Sequence, residues 1–297
     1  MSIAGPIAEP EAGPPAIAVP LTFRERLGLT ARRNRLATAG AAILVLTLLL
    51  TFVVPLIYPV DPLDVDPGNA LAPPSASHPL GTDELGRDML ARLADAGRLD
   101  LLIAFAVTGL ALLAGTLSGA LAGYAGGLVD DVVMRIVDVM LSFPAFILAL
   151  AVTVMLGNKV GYVIAALAAA YTPYFVRLTR GEVLKIRDSE YADAARVVGN
   201  PPWRVAFVHV FPNALAPAVV LASIVLGWSI LDAAALGFLG IGIKPPTSEW
   251  GTMVADGAKN IDSGEWWTWV FPGAAILMVV LAFNWVGDGL RNLFRSA

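Results

Sequence analysis

The chain has 297 residues, a net charge of −4 and a mean hydropathy of +0.71, with 57% hydrophobic and only 15% charged residues. Soluble domains carry about 25% charged residues, so this composition excludes a water-soluble enzyme. The chain contains no cysteine and only two histidines, which excludes disulfides, thiolate chemistry and a multi-histidine metal site.

Residues 1–20 are rich in Pro, Ala and Gly, and five arginines follow between residues 24 and 35. Residues 1–35 are therefore predicted to form a disordered, basic N-terminal segment. Six runs with few or no charges follow, and each is long enough to cross the hydrocarbon core of a bilayer as a helix. The pattern therefore predicts an all-α polytopic membrane protein with six transmembrane helices. The runs cover residues 36–57, 101–124, 132–156, 160–176, 214–239 and 266–287.

The basic residues are divided unequally between the two sides of such a protein. If the N-terminus is cytoplasmic, 14 of the 20 Lys and Arg residues lie on the cytoplasmic side, which predicts that both termini are there. Long polar segments then lie on both sides, as a protein that passes a solute or a signal across would need. Residues 58–100 and 240–265 are predicted outside; residues 177–213 and the tail 291–297 are predicted in the cytoplasm.

The cytoplasmic segment 177–213, called the coupling loop below, contains two amphipathic patterns with a break between them. From Glu190, apolar or small residues recur at helical spacing until Gly199, which suits the end of a helix. Asn200 then suits the N-cap of a second helix, which Pro212 is predicted to stop. This pattern alone fits a helix pair lying on lipid headgroups as well as a docking surface for another protein.

A resemblance favours the docking surface. The sequence Asp193-Ala194-Ala195, followed by Gly199 and Pro212, resembles the EAA loop of ABC importer permeases, in which this loop docks on an ATPase subunit. This chain has Asp193 where Glu is usual, and the change keeps the charge. The resemblance assigns the coupling role to Glu190, Tyr191, Asp193, Ala194, Ala195, Gly199, Trp203 and Pro212.

Four further segments, at 78–88, 237–251, 271–273 and 283–291, are similar to the C-type permease of dipeptide and oligopeptide importers. The resemblance implies a type I, MetI-like permease fold with the core at 101–290, in a bacterial inner membrane. It implies a second permease, two ATPase subunits or one fused subunit, a substrate-binding protein outside the cell and a peptide substrate, but no nucleic acid. Some members of this family import nickel complexes or glutathione, so these substrates remain alternatives for this chain.

The chain contains no P-loop, His-Glu-x-x-His or Gly-x-Ser-x-Gly pattern, so we expect a transport subunit without catalytic residues, metal or cofactor of its own. The resemblance implies that ATP and Mg²⁺ are bound by the partner subunits. A secondary transporter driven by an ion gradient remains the alternative from another class. It would show paired ionisable groups at the bilayer midplane and internal repeats, and neither is clear.

Several residues outside the coupling loop have specific predictions. Thr82 is predicted to cap a short outer helix, and Pro245, Glu249, Trp250 and Gly251 are predicted to face the binding protein or the mouth of the pathway. Gly115, Gly119 and Gly123 are predicted to pack helices, more readily within the chain than against the second permease. We expect Pro144 to kink a span, Asp138 to pair with Arg135, Asp232 to lie near the outer interface, and His209 to be a structural hydrogen-bonding residue.

Overall fold

The structure, a computed structural model, describes residues 34–295; nearly all of the predicted disordered segment lies outside this range. The regular secondary structure of the described residues is helical apart from one isolated bridge between Thr82 and Asp88. The helices are α1 Arg35–Phe52, extended by a turn at Val54–Ile57, α2 Met89–Ala125, α3 Gly127–Leu141, α4 Ala145–Leu156, α5 Val160–Arg187, α6 Glu190–Val197, α7 Ala216–Phe238, α8 Trp250–Ala258 and α9 Trp267–Arg295.

Five segments are long and apolar enough to cross a membrane: Arg35–Ile57, α2, α5, α7 and Trp267–Phe294. A sixth span exists if α3 and α4 are counted as one, but the two helices meet at 89°. Pro144 causes this bend because the residue before a proline is disfavoured in the α conformation, so the helix ends at Leu141 and restarts after Pro144. The predicted run 132–156 is therefore a bent pair.

The outer part of α2 differs from the prediction. Thr82 does not cap a short helix; Asp88 caps α2 by accepting a hydrogen bond from the Ala91 amide at 2.9 Å. From there α2 continues unbroken for 37 residues, or about 55 Å at 1.5 Å per residue. No proline separates residue 89 from the apolar run, and the charged Arg92 and Asp100 are buried against other segments.

The helix α5 is also longer than predicted. It passes through Pro173 and continues beyond residue 176 to Arg187, so four basic residues assigned to the coupling loop lie on a helix. Lys185 and Arg187 occupy its last turn, where a positive charge interacts favourably with the helix dipole. The coupling loop outside regular membrane helices is therefore limited to residues 188–215.

The glycines of α2 let α2 and α5 approach closely within this chain. A Cβ atom at Gly119 would lie 2.5 Å from the Val176 carbonyl oxygen, and one at Gly123 would lie 3.0 Å from the Arg180 carbonyl oxygen. At Gly115 it would collide with the Cβ of Phe175. These three glycines thus form one side of the contact between the two long helices.

Because α2 is so long, it joins two distinct ends of the molecule. At its start it packs against the cap layer, which we define as residues 58–88 and 239–266, and the buried Trp250 and Met253 belong to that contact. At its other end Ala120 packs, together with Val183 of α5, against the coupling loop. A third core cluster lies between them, where α2, α4, α5 and α7 meet.

Candidate functional site

The break inside the coupling loop is built by backbone conformation and one side-chain cap. Gly199 has φ of +89°, as its position after α6 predicts. Asn200 does not cap the second helix; its side-chain amide donates to the Ala195 carbonyl at 2.9 Å and so closes the end of α6. Pro201 occupies the N-cap of the next turn instead.

The second part of the coupling loop is not the single α-helix that its apolar spacing predicts. It consists of an α-turn at Pro202–Arg204, a π-helix at Val205–Val210 and another α-turn at Phe211–Ala214. Pro212 does not stop it, because a proline is tolerated in the first turn of a helix, and the chain runs on into α7 at Ala216.

The coupling loop has a buried face and an exposed face. On the buried face Ala192, Ala195, Val205 and Val210 pack against Ala120 and Val183 of the long helices. Ala194 and Ala195, which were both assigned to the coupling role, therefore lie on different faces, because Ala195 is buried and Ala194 is exposed. The exposed face carries large apolar side chains, namely Tyr191, Val197, Val198, Trp203 and Phe207, of which Val197 is 88% exposed.

Polar contacts hold the coupling loop to the membrane helices. Tyr191 and His209 lie 3.1 Å apart (phenol oxygen to Nδ1), which joins α6 to the π-helix and gives His209 the structural role predicted for it. Arg196 donates to the Arg187 carbonyl at 2.7 Å, and Arg187 donates to the Gly123 carbonyl at 2.8 Å. The loop is thus attached to the ends of both α5 and α2.

The helix α3 is tied to α5 by two ion pairs. Arg180 binds both carboxylate oxygens of Asp130, at 2.6 and 2.5 Å. Asp138 accepts a hydrogen bond from Arg177 at 2.6 Å, so its predicted pairing with Arg135 in the same helix is wrong. An arginine of the neighbouring helix α5 reaches the carboxylate instead.

Three of the four residues predicted to form the outer contact loop are buried in the cap layer. The Trp250 side chain is fully buried, and its indole donates to the Leu93 carbonyl at 3.1 Å. The backbone of Gly251 packs against Ala234 so closely that a Cβ atom there would lie 2.5 Å from its Cα. The prediction that Glu249, Trp250 and Gly251 face a partner is therefore wrong for this structure, and only Pro245 is exposed.

Glu249 is the N-cap of α8. Its two carboxylate oxygens accept hydrogen bonds from the Gly251 and Thr252 amides, each at 2.7 Å. Asp100 lies nearby and accepts a hydrogen bond from the Trp250 amide at 3.0 Å. Burial raises the pKa of Glu249 to about 7, although the cap hydrogen bonds lower it. A carboxyl group whose charge changes near neutral pH thus lies inside the cap layer.

A buried ion-pair cluster lies where the cap layer meets the first turns of α2. Asp83 binds Arg87 at 2.7 Å and also binds Arg92, and all three side chains are at least nine-tenths buried. They line a cavity of about 410 Å³ together with Pro245, Asp256 and other residues of both cap-layer segments. The signal available in the sequence was the density of charges between residues 83 and 92.

Comparison with known proteins identifies the chain. Residues 115–297 match the family described as binding-protein-dependent transport system inner membrane component, and residues 30–74 match the N-terminal TM domain of oligopeptide transport permease C. The chain belongs to this family of ABC importer permeases. It is thus a multi-pass protein of the bacterial inner membrane and a transport subunit, not an ATPase.

Curated relatives of this permease extend over nearly its whole length. Dipeptide transport system permease protein DppC of Escherichia coli strain K12 is 44% identical over 280 residues, which is 92% of this chain and 93% of the relative. The protein of the same name from Alkalihalophilus pseudofirmus is 42% identical, over 88% of this chain and 86% of the relative. The probable D,D-dipeptide transport system permease protein DdpC of E. coli K12 is 41% identical, over 87% and 86%.

A solved structure has the same fold. A chain of the MetNI methionine ABC transporter, in an inward-facing conformation, aligns with a TM-score of 0.57 and 18% identity. The alignment covers 70% of this permease and 98% of that chain. The predicted all-α, MetI-like fold is confirmed.

Proposed function

We propose that this permease is the C-type subunit of a dipeptide or oligopeptide importer and forms half of the pathway together with a second permease. The names of the relatives support the peptide substrate. Coupling to ATPase subunits is supported by the two faces of the coupling loop. Its buried face packs against α2 and α5, and its exposed face carries large apolar side chains. A large exposed apolar patch usually marks a site of interaction with another molecule.

The proposed orientation follows the basic residues. The coupling loop and both termini are cytoplasmic, and the cap layer lies outside, where an extracytoplasmic binding protein delivers the peptide. ATP and Mg²⁺ are bound by the ATPase subunits, and this chain holds no cofactor.

In the proposed mechanism, an ATPase subunit pushes on the exposed face of the coupling loop when ATP binds. Ala192 and Val205 transmit the displacement to Ala120 of α2 and Val183 of α5, because a close-packed apolar contact does not compress. Both helices continue from the loop towards the cap layer, so one movement can open one end of the pathway and close the other.

The test is to place a charge on the exposed face. Val197→Glu and Val198→Glu, each in the complete importer, are expected to lower dipeptide uptake and co-purification of the ATPase subunits about tenfold or more, as loss of an interface anchor does. Both side chains are more than four-fifths exposed, so neither change disturbs the permease core.

The matched control is Val65→Glu in the cap layer, an exposed valine given the same charge. It should leave ATPase association unchanged. If Val197→Glu and Val198→Glu retain both uptake and ATPase subunits, the coupling assignment is wrong.

A further inference from the structure

One acidic residue in the membrane-spanning part of the permease has a neutral partner and an unused oxygen. Asp232 of α7 accepts a hydrogen bond on Oδ2 from the phenol of Tyr171 on α5, at 2.5 Å. Tyr171 is buried, whereas Asp232 is only partly buried. The contact therefore fixes the carboxylate from one side and leaves the other side open.

No cation of the described residues neutralises Asp232. Asp130 and Asp138 are bound by Arg180 and Arg177, but Asp232 forms no ion pair with any Lys, Arg or His between residues 34 and 294. Its Oδ1 accepts no hydrogen bond from that part of the chain and is not enclosed. A carboxylate in a membrane span is costly unless it is paired or faces a water-filled cavity.

Aromatic rings surround the Tyr171 partner. The ring centroid of Trp228 lies 6.0 Å from that of Tyr171 and 5.9 Å from that of Tyr174, and the two tyrosine rings are 6.4 Å apart. Trp228 is about one-third exposed, so part of this cluster can be reached from outside the chain. A carboxylate beside electron-rich ring faces is the combination that recognises an organic ammonium ion.

We propose that Asp232, Tyr171, Tyr174 and Trp228 form a binding site for a primary ammonium group on a face of α5 and α7 that lines the translocation pathway. Building on the proposed function, the group is the N-terminal ammonium of a peptide in transit. A polar neighbour suits this face better than hydrocarbon, which would leave Oδ1 unsatisfied. An ammonium ion supplies both the missing charge and the missing hydrogen-bond donor.

The experiment measures binding without the binding protein, which could itself select for a free N-terminus. The complete importer in nanodiscs is titrated by equilibrium dialysis with radiolabelled alanyl-alaninamide, which carries an ammonium but no carboxylate, and with its Nα-acetyl derivative. The wild type should bind the amine and not the acetylated probe. Asp232→Asn should weaken amine binding about tenfold, and Asp232→Glu should retain most of it.

The control variant is Asp138→Asn, which removes an acid that already has a cation partner and should bind the amine like the wild type. The inference is overturned if the wild type does not bind the amine, or if Asp232→Asn binds it equally well. It is also overturned if Asp232→Asn releases the second permease on size-exclusion chromatography, because Asp232 would then pair with a cation of that subunit.

Dipeptide uptake by the wild-type importer with its binding protein separates this inference from the proposed function. If the wild type takes up no peptide, the proposed function fails. If it takes up dipeptide while Asp232→Asn binds the amine normally, only the ammonium site fails.

Discussion

The cap layer and the coupling loop distribute polar and apolar residues in opposite ways. In the cap layer the charged Asp83, Arg87 and Glu249 are buried, and each is paired or acts as a cap; Arg92 of α2 completes the ion-pair cluster. In the coupling loop apolar side chains such as that of Val197 are exposed. The cap layer thus pairs or caps these charged groups within the chain, whereas the coupling loop leaves apolar surface for another molecule to cover. We expect mutations in the former to reduce stability, and mutations on the surface of the latter to reduce coupling.

The largest expected effect is in the buried ion-pair cluster of the cap layer. Asp83→Asn leaves Arg87 and Arg92 without their shared counter-charge and should lower the free energy of unfolding by about 3 kcal/mol or more. The measurement is thermal unfolding of the importer in nanodiscs.

Asp193→Asn provides the comparison in the coupling loop, because it breaks an ion pair with Arg196 whose side chains are 65% and 40% exposed. The expected cost is below about 1 kcal/mol, since water screens an exposed pair. Equal effects of the two substitutions would contradict the proposed difference between the regions.

The second prediction concerns Glu249 and pH. Its pKa rises from 4.5 to about 7 in the folded protein, so between these values the unfolded carboxyl has lost its proton and the folded one has not. Folding stability should therefore fall as pH rises from 4.5 to 7, by on the order of 3 kcal/mol for Glu249 together with the neighbouring Asp100, whose pKa burial also raises. The melting temperature of the wild type at pH 5 and pH 8 measures this.

Glu249→Gln should abolish that part of the pH dependence, because the amide does not titrate. At pH 5 the variant should be less stable than the wild type by about 1 kcal/mol, because the hydroxyl oxygen of the protonated Glu249 can still accept a hydrogen bond from an amide of α8, whereas the NH2 group of Gln cannot. The difference should shrink or reverse at pH 8. Parallel pH profiles of the two proteins would rule out Glu249 as the titrating group.

The third prediction concerns the close approach of α8 to α7. Gly251→Ala would place a methyl group against the Ala234 backbone and should cost about 1–3 kcal/mol, because backbone cannot move aside as a side chain can. Thermal unfolding measures it, with Gly273→Ala on α9 as control, where a Cβ meets nothing within 4 Å. A neutral Gly251→Ala would mean that α8 is less tightly packed than described.

Much of the fold could be predicted from the sequence because local rules decided it. The apolar runs gave most membrane helices, Gly199 marked a positive φ, and the bend at Pro144 followed from its effect on the preceding residue. The family could be predicted because its motifs are contiguous segments of the chain.

The errors arose where a distant partner decided the structure. Trp250 lies in a stretch of sequence that suggests a polar loop. It is nevertheless buried, because the Leu93 carbonyl, 157 residues away, accepts a hydrogen bond from its indole. Asp138 binds Arg177 on another helix, and Asn200 caps the helix before it by donating to the Ala195 carbonyl. Residues 58–100 were predicted to form a polar outer segment, but α2 begins at Met89 and buries Arg92 and Asp100 against partners in the cap layer.

The most selective effect on function, with only a small effect on stability, is expected at Gly199. A Cβ atom there would meet nothing within 4 Å, so Gly199→Ala acts only through its φ of +89°, a strain that costs about 1 kcal/mol. Relief of the strain would change the angle between α6 and the following turn. More ATP should then be hydrolysed for each peptide taken up, while the melting temperature changes little. Gly181→Ala within α5 is the matched control, since it also meets nothing within 4 Å but has no positive φ and should be neutral or slightly stabilising. If the two alanine variants couple ATP hydrolysis to uptake equally well, the geometry of the break does not matter for coupling, and docking on the exposed apolar face alone must carry it.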